Sequence, residues 1–220
     1  LSSSAAFEVL MAAICDRLFL GGKLTPVQLA QIGQYAENVY FGKPCGLMDQ
    51  TASAVGGIIA IDFADPSRPI VTPVPFDFAA CGHALCIIDS GADHADLTGE
   101  YAAITEELKA VCRHFGEEYL RGVPEERFYA DLPGVREAAG DRAVLRAMHV
   151  YDDNRRVRLQ IAALQENRFD DFLHEVRASG ISSWLYLQNV TPTGATRHQA
   201  LAFALAQADR LLHGRGACRV

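Results

Sequence analysis

Positive charge is scarce in this chain. Its 20 Lys and Arg stand against 27 Asp and Glu, giving a formal net charge of −7, and the basic residues form no stripe. Nucleic acid and anionic membrane surfaces are therefore not expected partners. The six cysteines (Cys15, Cys45, Cys81, Cys86, Cys112 and Cys218) include no Cys-x-x-Cys pair. Scattered singly in mostly apolar surroundings, they predict buried, reduced thiols rather than a disulfide framework or a zinc site. Among the histidines, His83, His94 and His149 stand near predicted strands or turns, but no pair has a metal-ligand spacing, which predicts structural roles. No long apolar run occurs near the start, where Glu8, Asp16 and Arg17 interrupt the first twenty residues and no basic leader precedes them. Neither a signal peptide nor a membrane span is expected, and the chain reads as cytoplasmic. There is no internal repeat and no low-complexity tract. An initiator Met is also missing, and the strand-like run that ends at Val220 stops as soon as it begins; both ends are expected to be those of a fragment.

Enough apolar material is present for a real core. Half of the 220 residues are hydrophobic and 21% are charged, which suits one large or two small globular domains. Residues 4–19 predict a helix with Ala5, Leu10, Ala13, Ile14 and Leu18 facing inward and Gly21-Gly22 ending it. Thr25-Pro26 has the form of an N-cap with a first-turn proline and starts a second helix running to about Tyr40. A short helix follows from Met48 to about Ala54. Residues 58–63 and 70–75 predict a hairpin whose prolines put the second strand at an edge. The continuous apolar run 84–89 predicts a buried strand. Residues 99–115 are helical in pattern, 116–141 read as a connecting region, and helices are expected over 142–166, 168–178, 182–188 and 194–213. In the last of these Ala200, Leu201, Ala204, Leu205, Ala208, Leu211 and Leu212 form a core stripe. Arg155, Arg156 and Arg158 are expected to pair with Asp152 and Asp153 on a solvated helix face. Strands early and helices late argue for an α+β fold.

Three features carry chemistry. Leu1-Ser2-Ser3-Ser4-Ala5 sets hydroxyls at a helix start, where exposed N–H groups and the helix dipole favour an anion such as phosphate. Glu37 is a carboxylate within an apolar helix; its plain structural reading is a solvated side chain. Cys45-Gly46-Leu47-Met48-Asp49-Gln50 places a carboxylate after a small-residue turn and before an Ala-rich helix, where Asp49 reads either as a helix cap or as a functional acid. A hydroxyl and a carboxylate form a typical incomplete shell for Mg²⁺, completed by water and phosphate oxygens. Phosphoryl transfer needs that shell, a phosphate cradle and a second carboxylate at the attacking hydroxyl.

These residues in this order resemble the galactokinases, members of the GHMP kinase superfamily. Leu1 to Ala5 match the end of that family's phosphate loop, and Cys45 to Gln50 match its Cys-Gly-(Ile/Leu)-Met-Asp-Gln pattern. Glu37 falls at the expected upstream spacing. Asp89-Ser90-Gly91, His94, Leu97 and Tyr101 resemble the segment ending in a sugar-contacting tyrosine. Met148-His149-Val150 with Asn154, Arg156 and Val157 resembles the start of the C-terminal helical region.

The resemblance implies a GHMP-kinase-like α+β fold with a partial N-terminal domain over 1–141 and a partial, largely helical C-terminal domain over 142–220. It implies Asp49 as the catalytic carboxylate, Ser2, Ser3 and Ser4 at the ATP phosphates, and Ser4 with Glu37 on Mg²⁺. Gly46, Asp49 and Tyr101 would contact the sugar. The implied activity is an ATP-dependent sugar 1-kinase acting on galactose. A fragment without the upstream arginine and the downstream glycine-rich motif is expected to be inactive alone. Two other readings stay open: a kinase of the same superfamily for another sugar or small alcohol, and a non-catalytic sensor of sugar and nucleotide.

Overall fold

Gly21 and the Thr25-Pro26 pair organise the beginning of the fold as their chemistry requires. The structure, a computed structural model, describes residues 3–43, 45–91 and 98–219. Ser2, His94, Leu97 and Val220, each of which carried part of the sequence reading, lie outside the described residues. The chain forms two compact units, Leu1–Phe76 and Asp77–Val220.

In the first unit, α1 (Ser3–Cys15) runs into a π-helical turn, Asp16–Leu20, ended by Gly21 at φ 75°. That left-handed conformation is easy for glycine and strained for other residues. The buried Asp16 carboxylate accepts from the Lys23 and Leu24 amides at 3.1 and 3.3 Å, pinning the chain as it turns. Thr25 and Gln28 then cap α2 (Pro26–Tyr35) reciprocally: Thr25 Oγ1 accepts from the Gln28 amide, and Gln28 Oε1 accepts from the Thr25 amide. A second π-helical turn, Ala36–Tyr40, extends this helix to the expected residue. Next come α3 (Met48–Val55) and the expected hairpin, β1 (Ile59–Asp62) antiparallel to β2 (Ile70–Pro73), in register from Ile59↔Pro73 to Asp62↔Ile70.

Helices α1, α2 and α3 pack against one another, burying Ala5, Val9, Ala30 and Leu47. The inward face of α1 is therefore set by Ala5 and Val9. Leu10, Ile14 and Leu18, expected inside, are exposed. Both neighbouring helices take the small-residue side of α1, and the bulkier stripe lies on the other.

The second unit is helical: α4 (Thr98–Phe115), α5 (Glu125–Ala130), α6 (Leu132–Ala139), α7 (Asp141–Gln165), α8 (Phe169–Ser182) and α9 (Ala200–Leu212). Two expectations fail here. Residues 84–89 form no strand, and Leu85, Ile87 and Ile88 are exposed. A buried strand needs a ladder partner for its N–H and C=O groups, and no described residue pairs with this run. Residues 116–141 are not a mere connection, because α5 and α6 deliver Phe128 and Val135, both fully buried, into a core with Val111, Phe115, Val123, Val144 and Ala147. Prolines there start helices rather than break them, Pro124 as N-cap and Pro133 in the first turn. Helices α4 and α6 both pack on α7, so contact within this unit runs across residue 141.

The final helix begins at Ala200, six residues later than expected. Its buried residues are Ala202 and Leu205, while Ala200 and Leu211 are exposed. Arg155 pairs with Asp152 and Glu125, and Arg156 with Asp153 and Asp152, as the charge pattern predicts. All six cysteines are free, but Cys15, Cys81 and Cys86 are exposed rather than buried.

His149 is buried, its Nδ1 2.9 Å from Ser182 Oγ and its Nε2 3.4 Å from Asp153 Oδ2. Burial holds its pKa below the usual 6.5, against the pull of Asp153 and with the push of Arg219 and Arg156. The unfolded chain therefore takes up this proton more readily than the folded one. The stability His149 allows is complete above about pH 6.5 and is lost as pH falls below it, at up to about 1.4 kcal/mol per pH unit. Urea midpoints measured from pH 7.5 down to 5.5 should fall, and His149→Gln should flatten that slope.

Candidate functional site

Three helices converge at Gly33. A Cβ there would stand 3.3 Å from Glu8 Cβ and 3.4 Å from Gln50 Cγ, so the missing side chain lets residues of α1 and α3 approach α2 closely. Through this opening the buried Gln50 donates Nε2–H to Glu37 Oε2 at 3.1 Å. From the other side Lys43 Nζ donates to Glu37 Oε1 at 3.0 Å. Glu37 itself is only 4% exposed, the opposite of the solvated side chain its plain reading predicts. It is carried by the π-helical turn Ala36–Tyr40; such turns re-aim side chains and often mark functional positions.

The Ser4 hydroxyl lies close enough to Glu37 to help lower its carboxyl pKa. The two residues expected to share a metal are thus side by side, Ser4 at the second position of α1 and Glu37 facing it. Burial raises the Glu37 carboxyl, but hydrogen bonds from Lys43, Cys45 and Ser4 outweigh it and hold the group below the usual carboxylate range. Neighbouring Glu8 is pushed the other way, by burial first and by the Glu37 charge second.

Asn38, the next residue, grips the chain that leads to Asp49. Its Oδ1 accepts from the Cys45 amide at 2.6 Å and its Nδ2 donates to the Cys45 carbonyl at 3.1 Å, with Gln34 Nε2 on the same carbonyl at 3.3 Å. Gly46 follows, exposed and with open space around it. Asp49 is the second residue of α3 and is exposed; the cap position belongs to Leu47, with no side-chain cap bond. The helix-cap reading of Asp49 is corrected accordingly. Its carboxylate stands in the first turn, where the helix dipole still favours negative charge. Ser3 is the first residue of α1 and, like Ser4, exposed.

Tyr101 belongs to the second unit, exposed near the start of α4. Its neighbour Glu100 is buried, accepting from the Thr193 amide at 2.9 Å and from the Thr193 hydroxyl. Arg142 and Arg146 each reach Glu100 Oε2 at 3.3 Å, and both also bind Glu107, at 2.5 and 2.9 Å. Arg146 is fully buried and donates Nε–H to the Leu187 carbonyl at 2.9 Å. The Thr193 hydrogen bonds, with Arg142 and Arg146, hold the Glu100 carboxyl below its usual range despite burial.

Sequence reasoning missed Asn38, Gln34, Lys43 and this four-residue ion network. A polar residue beside Glu37 was the available signal for Asn38. The network joins residues up to 46 positions apart and left none.

Among the described residues, no three His, Cys, Asp or Glu are grouped to hold a metal ion by themselves. The pair present, one hydroxyl and one carboxylate, is all oxygen and suits Mg²⁺, which keeps water and phosphate in most of its coordination positions. Among the described residues, no helix is long and apolar enough to cross a membrane.

Comparison with known proteins is consistent with this arrangement. Residues 1–57 match the family described as GHMP kinases N terminal domain. Galactokinase of Streptomyces coelicolor is 39% identical over 170 residues, covering 75% of this chain and 42% of that protein. Galactokinase of Actinobacillus pleuropneumoniae is 35% identical over 167 residues, 76% of this chain and 42% of that protein. The chain thus spans less than half the length of these curated relatives. The crystal structure of Lactococcus lactis galactokinase complexed with galactose shares the fold, with a TM-score of 0.71 and 23% identity over 96% of this chain and 52% of that one. By sequence the chain is similar to the galactokinases, by fold to the Lactococcus lactis enzyme, and its first 57 residues match the family described as GHMP kinases N terminal domain.

Proposed function

We propose that the whole protein is a sugar 1-kinase that moves the γ-phosphoryl group of ATP to the anomeric hydroxyl of galactose. The observation that carries this reading is the pairing of the Ser4 hydroxyl, at the start of α1, with the buried carboxylate of Glu37 that it faces. It builds a metal-binding pair beside a helix N-terminus suited to phosphate. Relatives at 35–39% identity bear the name galactokinase, and the Lactococcus lactis protein was solved with galactose, which supports the choice of sugar.

In this reading Ser2, Ser3 and Ser4 with the first amides of α1 cradle the triphosphate, and Ser4 and Glu37 hold Mg²⁺. The ion would neutralise charge on the phosphates as the bond to the leaving oxygen lengthens. Asp49 orients the anomeric hydroxyl and accepts its proton, while Gly46 leaves open backbone for the sugar. The sugar oxygen bonds to the γ-phosphorus, the bond from that phosphorus to the β,γ-bridging oxygen breaks, and ADP leaves. A loose transition state demands little activation of the nucleophile, so orientation by Asp49 counts for as much as proton removal. The same proposal places the protein in the cytoplasm, where its six free cysteines stay reduced.

ADP release by the whole protein, followed with ATP, Mg²⁺ and a panel of sugars, tests this. Galactose should give the highest kcat/KM. Higher turnover with another sugar or a small alcohol would reassign the acceptor. Binding of galactose and ATP without ADP release would make the protein a sensor.

A further inference from the structure

Lys43 stands on the carboxylate that the proposed function gives to a metal. Glu37 has two carboxylate oxygens, and the buried Gln50 amide takes Oε2 from inside. The ammonium of Lys43 takes Oε1, and its side chain is 68% exposed against 6% for Glu37. This pairing is built by the backbone as well. Gly42 adopts φ 66°, and the Lys43 amide donates to the Glu37 carbonyl at 2.9 Å, folding Lys43 back over the residue six positions earlier. A left-handed residue at this point is cheap only for glycine.

A divalent cation approaching Glu37 from solvent therefore meets an oxygen already held by a positive charge. Two cations cannot share one carboxylate oxygen at about 3 Å without strong mutual repulsion. The lysine stem is long and exposed, so it can withdraw.

We infer that Lys43 is a displaceable counter-ion of Glu37, competing with the divalent cation until the phosphates of a nucleotide offer the ammonium a second anionic partner. Metal and nucleotide then bind cooperatively: each is weak alone, and each strengthens the other by the same factor. This rests on Glu37 as a metal ligand, the reading given above.

Mn²⁺ binding to the whole protein, followed by electron paramagnetic resonance with and without a non-hydrolysable ATP analogue, tests the inference without turnover. Lys43→Met should tighten Mn²⁺ in the absence of nucleotide by about two- to fivefold, the span of an ion pair with one partner in solvent. It should shrink the gain produced by the analogue by the same factor, and Lys43→Arg should stay near the parent protein. Unchanged or weaker Mn²⁺ binding by Lys43→Met overturns the inference. Glu37→Gln separates the two levels. If it leaves Mn²⁺ affinity intact, Glu37 is not a ligand and the metal assignment itself falls. If it weakens Mn²⁺ while Lys43→Met changes nothing, only the role of Lys43 falls.

Discussion

Replacing Asp49 by Ala is expected to lower kcat by about three orders of magnitude or more, the loss typical of a group that meets the reacting atom. ATP affinity should change little, because the phosphates are assigned to the start of α1 and Asp49 lies on α3. The fold should also tolerate the change. Asp49 is exposed and stands in the first turn of α3, where a negative charge gains about 0.3–1 kcal/mol from the helix dipole. Asp49→Asn distinguishes two parts of the role, since it keeps the shape and the ability to orient a hydroxyl but cannot accept a proton. Turnover of the Ala variant at a rate near the parent's would place the chemistry on another residue.

Arg146→Ala carries the largest expected cost in stability, about 3–5 kcal/mol, as for other buried ion pairs broken on one side. The guanidinium is fully buried and bridges Glu100, Glu107 and the Leu187 carbonyl. Its removal leaves two carboxylates sharing Arg142 alone and a carbonyl without its donor. Arg146→Lys should rescue little, because an ammonium lacks the planar fork that serves three acceptors at once. The urea midpoint of the second unit is the measurement. A shift no larger than that of a surface substitution would show that Arg142 alone suffices to hold the cluster. The same substitution should loosen the start of α4, where Glu100 ties the residue next to Tyr101 to Thr193.

Much of this was legible in the residues themselves, because the signals were local. The capping box at Thr25, the hairpin with its prolines and the short helix after Gly46 depend on neighbours within a few positions. So does the run of serines at the start of α1. Burial was less legible. Glu37 is interior because Gln50, Lys43 and Ser4 surround it, and no spacing rule announces that three separate segments will meet there. The run at 84–89 shows the converse. Its composition suits a buried strand, but strand formation is a property of pairs, and with no partner among the described residues the run keeps its apolar side chains exposed. Residues 116–141 misled through their charges and prolines, which serve helix starts and leave Phe128 and Val135 to fill the core.

The grip of Asn38 on Cys45 has a mechanical consequence. Its amide closes a ring across the residues between them, with one bond in each direction. The carboxylate at position 37 and the one at position 49 are thereby fastened to opposite sides of a single buckle. Whatever happens inside the ring, the gauge between them is kept. Lys43 lies inside that ring, so a substitution there changes the charge beside Glu37 while the fastening of the segment that leads to Asp49 stays in place.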